Sequence, residues 1–369
     1  MLLRSAVFAL LVTVPLVAPP AAQTREYIVF VASEAADRIA QVRFGPGGLR
    51  VDREFETGVM PGDIDGPHGL AVAPDGDSFF VSLAHGQPFG SVWKYSTATH
   101  QVIGRVTLGM FPATMQVSPS GEFLYVANFN LHGDHVRSSI SVVHTGSMLE
   151  IARIPTCLMP HGSRFNPQGT RHYSVCMMDD ELVEIDTSTL KVARHFQVTE
   201  GRGGDGPPTS GAASHAAADH GAATAGSANC SPTWAQPSWD GSSIFVACNG
   251  RSDIVEIDVA SWTLERRIAA RPGVYNLAVT RDGRLVATNR RDQSVSIIDL
   301  ASGRETAHIP TPRRAVHGVA VTADQTYAFV SAEGIAAETG TVTVIDLAAG
   351  KAVASIEISP QAGGIDVWK

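Results

Sequence analysis

The 369-residue sequence predicts an all-β protein of seven four-stranded blades closed into a ring, and three observations carry that expectation. A tight-turn dipeptide, Asp-Gly or a close relative, recurs between apolar segments. Each turn is followed by an aromatic and β-branched strand, then by a strand that ends on an acidic turn. The chain also finishes with the strand that its first copy lacks. Repetition at this period means one supersecondary unit stacked on its neighbours, and four strands per unit make a β-propeller blade.

The turns are Asp75-Gly76, Ser120-Gly121, Gln168-Gly169, Asp240-Gly241 and Asp282-Gly283, with Asp324-Gln325 a degenerate sixth. Glycine supplies the positive φ that such hairpins need. Among the strands that follow are Phe79-Phe80-Val81, Leu124-Tyr125-Val126 and Ile244-Phe245-Val246. Third strands end in Val183-Glu184-Ile185-Asp186, Val255-Glu256-Ile257-Asp258, Ser296-Ile297-Ile298-Asp299 and Thr343-Val344-Ile345-Asp346. A first strand aligns at His68, Ala113, His161, Thr233, Tyr275 and His317, at intervals of 42 to 48 residues apart from one of 72. The N-terminal copy starts directly with a second strand, Tyr27-Ile28-Val29-Phe30-Val31. The segment from Gly363 to Trp368 then completes the first blade, so that no sheet edge is left open across the ring.

Residues 1–22 have the pattern of a signal peptide: Arg4, an apolar run from Ala6 to Val17, and small residues up to Ala22. The propeller is expected over 23–369, with a Gly/Ala/Ser/Thr-rich insertion at 201–231 as a mobile loop. No later segment is long and apolar enough to span a bilayer, so the expected location is periplasmic or secreted. A net charge of −8 without a basic half argues against nucleic acid as partner. Four cysteines in an exported chain imply two disulfides. Repeat register favours Cys157–Cys176 and Cys230–Cys248 among the three possible pairings.

If each first strand runs along the channel, His68, His161 and His317 share one register position in blades 2, 4 and 7. Spaced almost evenly around the ring, three imidazoles would suit copper, or less well zinc, with an open coordination position. His85, His132 and His135 fall in loops on that same upper face, as do His215 and His220 in the insertion. His132, His135 and Met159 are secondary ligand candidates, and Met177 and Met178 lie nearby. A histidine at a strand start also serves simply to fill a tight polar channel, bonded to a carbonyl. A soft copper set of Cys157, Met159 and His161 competes with the disulfide, which removes the thiolate. Acid–base candidates on this face are Asp179, Asp180, Glu181, Glu333 and Glu338, while Arg290-Arg291 and Arg313-Arg314 read as ordinary surface. Covalent-haem, nucleophile-elbow and phosphate-loop motifs are absent.

Phe123-Leu124-Tyr125-Val126-Ala127-Asn128 and Thr341-Val342-Thr343-Val344-Ile345-Asp346 resemble the YVTN-repeat, YncE-like propellers, over about residues 27–369. More distantly, the chain resembles the haem-binding propeller of dissimilatory nitrite reductase. The resemblance implies the fold and little of the function, because the matching residues are scaffold. The expected function is an exported binding module with a copper site at the channel mouth and an unidentified protein or small-molecule ligand on that face. The alternatives are a copper-dependent oxidoreductase using the same site and, more weakly, a lactonase-like hydrolase. In placing histidines around the channel, the chain is similar to nitrous-oxide reductase and to the selenium-binding-protein/methanethiol-oxidase family, without the former's cupredoxin domain.

Overall fold

Alternating apolar strands joined by the glycine turns produce seven antiparallel sheets around one axis. A computed structural model describes residues 25–58, 64–86, 88–207 and 229–369. The expected signal peptide lies outside the described residues, as do His215, His220 and most of the 201–231 insertion. No helix among the described residues is long and apolar enough to cross a membrane. The innermost strands are Pro67–Val72, Pro112–Val117, Pro160–Phe165, Pro232–Pro237, Val274–Val279, Val316–Val321 and Ala362–Val367.

The last of these belongs to blade 1. It pairs antiparallel with Tyr27–Ser33, setting Val29 opposite Val367 and Val31 opposite Ile365. Trp368 continues the seam: its Nε1–H donates to Gly76 O of blade 2 (2.8 Å), and its ring stacks on Phe30. Phe30 in turn stacks on Phe79, with ring centroids 4.2 Å apart, and Phe79 stacks on Tyr95. Buried aromatic contacts of this kind fill the wedge between adjacent blades.

Every innermost strand leaves its ladder just after its first residue, by a register shift such as that between Pro67 and Leu70 or Val316 and Val319. In three blades a hydroxyl from the second strand occupies the gap. Ser82 Oγ accepts Gly69 N–H (2.7 Å) and donates to Ala113 O of the next blade (3.2 Å). Thr288 Oγ1 joins Asn276 N–H to His317 O in the same way, and Ser331 Oγ joins Gly318 N–H (3.0 Å) to Gly363 O (2.5 Å). The glycine after each of the three repeat histidines now has a physical reason. A Cβ at Gly69, Gly162 or Gly318 would lie 1.9, 2.3 or 2.7 Å from Ala113 O, Thr233 O or Gly363 O, the carbonyl of the adjacent blade.

Cys157 is bonded to Cys176 and Cys230 to Cys248, the pairs favoured by register. Each ties the approach to an innermost strand to the end of the neighbouring second strand, a short loop closure that stabilises by about 3 kcal/mol in the chain-entropy model. The low-complexity insertion departs from its expected loop at its start. Arg202–Asp205 is a fifth strand of blade 4, paired with Arg194 to Gln197. Gly203 and Gly204 permit it, because a Cβ on either would collide with Trp262 or His195. Three of the expected acid–base carboxylates are spent on scaffold. Asp179 accepts Leu158 N–H, Asp180 accepts Cys230 N–H and Ser231 N–H, and Glu338 accepts Ile335 N–H.

Two predictions follow from this packing. Ser331→Ala strands Gly318 N–H and Gly363 O in the interior, so chemical denaturation should show a loss of about 2–4 kcal/mol; a loss within experimental error would show that the bridge is not needed. Glu181 is buried with one oxygen unpartnered, and burial, reinforced by Asp179, pushes its carboxyl up to about 7. A carboxyl raised on folding contributes stability at low pH that is lost as pH rises through the folded value. Glu181→Gln should therefore be more stable than the parent at about pH 8, by about 1–3 kcal/mol, and melt higher, with the gap closing below about pH 4.5. An equal or lower melting point at the alkaline end would refute this assignment.

Candidate functional site

Because the ladder shift frees the second residue of each innermost strand, those residues form a ring at the upper end of the channel: His68, Ala113, His161, Thr233, Tyr275, His317 and Gly363. The residues that follow the second strands lie above this ring. In blades 1, 6 and 7 they are Glu34, Arg290 and Glu333, and in blade 2 His85 stands one place further on.

Glu34 ties two blades together. One carboxylate oxygen accepts from His68 Nδ1 and the other from His85 Nε2, both at 2.6 Å. Burial alone would raise the Glu34 carboxyl, yet the charge and hydrogen bonds of the two imidazoles hold it far below the usual carboxylate range. Burial likewise opposes a charge on His68, but Glu34 outweighs it and leaves that imidazole raised. In the neighbouring blades 6 and 7 Arg290 makes a bidentate pair with Glu333, at 2.6 and 2.7 Å, and lies over the Tyr275 ring. Arg290 is thus part of the site and not ordinary surface, because its counter-charge comes from the adjacent blade. Its neighbour Arg291 does bond at the periphery, to Asn249.

The three repeat histidines differ in their surroundings. His68 and His317 stand edge to face with ring centroids 5.6 Å apart. His161 bonds Thr233 O through Nδ1 (2.9 Å), and its Nε2 is 3.3 Å from the Tyr275 hydroxyl. Tyr275 also touches His317, at 4.8 Å between ring centroids, and so links the two imidazoles. Burial holds His161 down to about 4, with the nearby His68 and Arg290 acting in the same direction, and it lowers His317 well below the usual imidazole value too. Both are neutral at physiological pH. The Tyr275 phenol is raised by burial and stays a proton donor.

Four buried polar atoms around one small chamber have no protein partner: His68 Nε2, His317 Nδ1, Trp234 Nε1 and Asn276 Oδ1. The chamber measures about 30 Å³ and also meets Thr114 and Arg164. Among the described residues no three His, Cys, Asp or Glu side chains form a metal-ligand group, so the site offers an imidazole pair and an amide oxygen.

The secondary candidates lie at the rim. His132 is exposed and packs on Phe111 and His85, and His135 is exposed. Met159, with Met110 and Met177, packs against a buried apolar cluster of Phe111, Phe129, Ala84 and Ala113. Phe111 in turn contacts His68, and Phe129 contacts His161. The Cys157 sulfur is consumed by its disulfide, which rules out the thiolate copper set. His100, His144, His195 and His308 make local hydrogen bonds elsewhere, and His172 packs between Tyr125 and Phe165. Glu34, Tyr275, Asn276 and Arg290 were not singled out by the sequence reading. Tyr275 occupies the histidine register position, and counting from the end of each second strand finds Glu34 and Arg290.

No family model and no curated protein matches this chain. Solved structures match it over most of its length. Hydrazine synthase from Kuenenia stuttgartiensis is 20% identical with a TM-score of 0.61, over 83% of this chain and 91% of that one. The Pseudomonas aeruginosa periplasmic gluconolactonase PpgL is 17% identical with a TM-score of 0.69, over 93% and 99%. The dihydro-heme d1 dehydrogenase NirN, in complex with DHE, is 13% identical with a TM-score of 0.59, over 95% and 78%. Identities this low establish a shared architecture only: the chain is a seven-bladed β-propeller whose neighbours carry unrelated chemistries on one scaffold.

Proposed function

We propose that this chain is an exported binding propeller of the YVTN type whose upper channel mouth takes a transition-metal ion, copper by ligand chemistry, on His68 and His317. The observation that carries the reading is the pair of buried, unpartnered imidazole nitrogens, His68 Nε2 and His317 Nδ1, on two residues that line one chamber. A space of that size suits a single water-sized or ionic occupant. Glu34 accepts from His68 Nδ1, the outer-shell pattern of ligating histidines, so that a metal binding at Nε2 would displace the proton the raised imidazole holds there. Glu333 stands 3.7 Å from His317 Nε2 and favours the matching tautomer there. Asn276 Oδ1 supplies an oxygen donor. His161, already engaged by Thr233 and Tyr275, supports the phenol instead of joining the ligand set. Imidazoles beside a thioether-lined rim fit copper better than zinc. Export rests on the N-terminal pattern and is compatible with the two disulfides.

A second reading, a copper-dependent oxidoreductase, draws on Tyr275, a buried phenol placed to pass its proton to His161 Nε2. The lactonase alternative has less to stand on, since Glu34, Glu333, Asp179 and Asp180 are engaged by imidazoles, by Arg290 or by backbone amides.

Metal analysis after copper loading and dialysis tests the proposal. The parent should retain a single copper, His161→Ala should keep it, and the His68→Ala/His317→Ala double variant should lose it with its circular dichroism unchanged. A folded parent without copper, or a double variant with undiminished copper, would contradict the assignment. A paramagnetic signal abolished by a mild reductant would favour the oxidoreductase.

A further inference from the structure

The lower end of the channel repeats the logic of the upper end. There the fifth residue of each innermost strand forms a ring, and four of the seven are polar: Gln116, Arg164, Gln236 and Asp366. The remaining three are alanines, Ala71, Ala278 and Ala320, and their small side chains leave a vestibule of about 360 Å³. Cavities of this size accommodate small molecules.

The polar groups are fixed by their protein partners. The Arg164 guanidinium lies 4.4 Å from the Trp234 ring, which sets its plane, and it makes one hydrogen bond, to Ser163 O. Burial lowers it to about 10, so it remains cationic at neutral pH. Beside it, the Gln116 carbonyl accepts Phe165 N–H, which leaves the amide NH₂ as a donor. Asp366 stands in blade 1, three blades away from Arg164. Its two oxygens accept Val72 N–H and Val367 N–H, each at 2.8 Å, and each keeps a further lone pair. Gln236 spends its NH₂ on Pro237 O and leaves its carbonyl as an acceptor. Arg164 and Asp366 make no ion pair with each other: no contact within 4.0 Å joins them among the described residues. A guanidinium and a carboxyl are therefore set three blades apart around a cavity, with Gln116 and Gln236 flanking the guanidinium from blades 3 and 5.

We infer that this lower vestibule is a second binding site, for a small monocarboxylate that also carries a hydroxyl or ammonium group. Arg164, braced on Trp234, meets the carboxylate edge-on, as guanidinium and carboxylate planes match in a bidentate pair. Asp366 accepts from the hydroxyl or ammonium group. Three alanines in the wall leave room for a short carbon skeleton.

Calorimetric titration of the full-length mature protein with lactate, alanine and propionate tests this. Lactate or alanine should bind at least about tenfold tighter than propionate, which lacks the second donor. Arg164→Gln should abolish that binding. Asp366→Asn separates the sources: it should weaken alanine strongly if an ammonium group is recognised and lactate only slightly if a hydroxyl is. Should Arg164→Gln fail to fold, Ala278→Leu, which keeps every charge and fills the cavity, should block binding instead. Equal affinity for all three acids, no binding by any of them, or binding that survives Arg164→Gln or Ala278→Leu would overturn the inference. Arg164 borders the upper chamber, so its variant is scored by acid binding alone, whereas Asp366→Asn and Ala278→Leu lie outside that chamber and let the upper site be scored separately by its copper content.

Discussion

A hydroxyl held between two blades is the contact from which the rest of the channel takes its shape. Ser82, Thr288 and Ser331 each accept an amide of their own innermost strand and donate to the carbonyl of the next strand along the ring. The carbonyl that is pinned belongs to the second residue of that strand, so its side chain has little freedom in where it points. His317 is positioned by Thr288 in this way, and the chain closure at Gly363 by Ser331. Tight approach of backbone to backbone requires glycine at the following position, which explains why the repeat reads His-Gly. A motif that looks like chemistry is thus half scaffold, and the scaffold is what aims the imidazole.

Above that ring, charge is buried in matched sets. Glu34 is shared by two imidazoles and Glu333 is gripped by Arg290, each set spanning neighbouring blades. Buried ions are costly unless paired, and removing one partner exposes the other to the full desolvation penalty. The arrangement holds Tyr275, His161 and His317 neutral at the centre of a charged frame. His317 is thus in the form able to bind a cation, whereas His68, raised by Glu34, must first release a proton.

The blade count, the closing strand and the paired cysteines were legible because each follows from a period or a register that local residues announce. Asp75-Gly76 and its relatives mark turns wherever they stand, and a strand missing at one end must be supplied from the other. The site was legible only in part. His68 and His317 were found by their shared position, yet the same position also holds Tyr275, whose aromatic ring drew no notice among core aromatics. Arg290-Arg291 looked like solvent-facing charge because the partner of Arg290, Glu333, is distant in sequence and adjacent only in the ring. Glu34 was hidden because the innermost strand of its blade comes from the far end of the chain. Gln116, Arg164, Gln236 and Asp366 escaped for the same reason: only the closed ring shows that they share one level.

Fold and site therefore meet in one idea, that repeat register decides which side chains face the axis and at what depth. X-ray absorption at the copper edge of the loaded protein tests that idea most directly. The account predicts outer-shell scattering from two imidazole rings, falling to one in His317→Ala and staying at two in His161→Ala. A spectrum of oxygen ligands without imidazole scattering, or one that His161→Ala alters and His317→Ala does not, would contradict it.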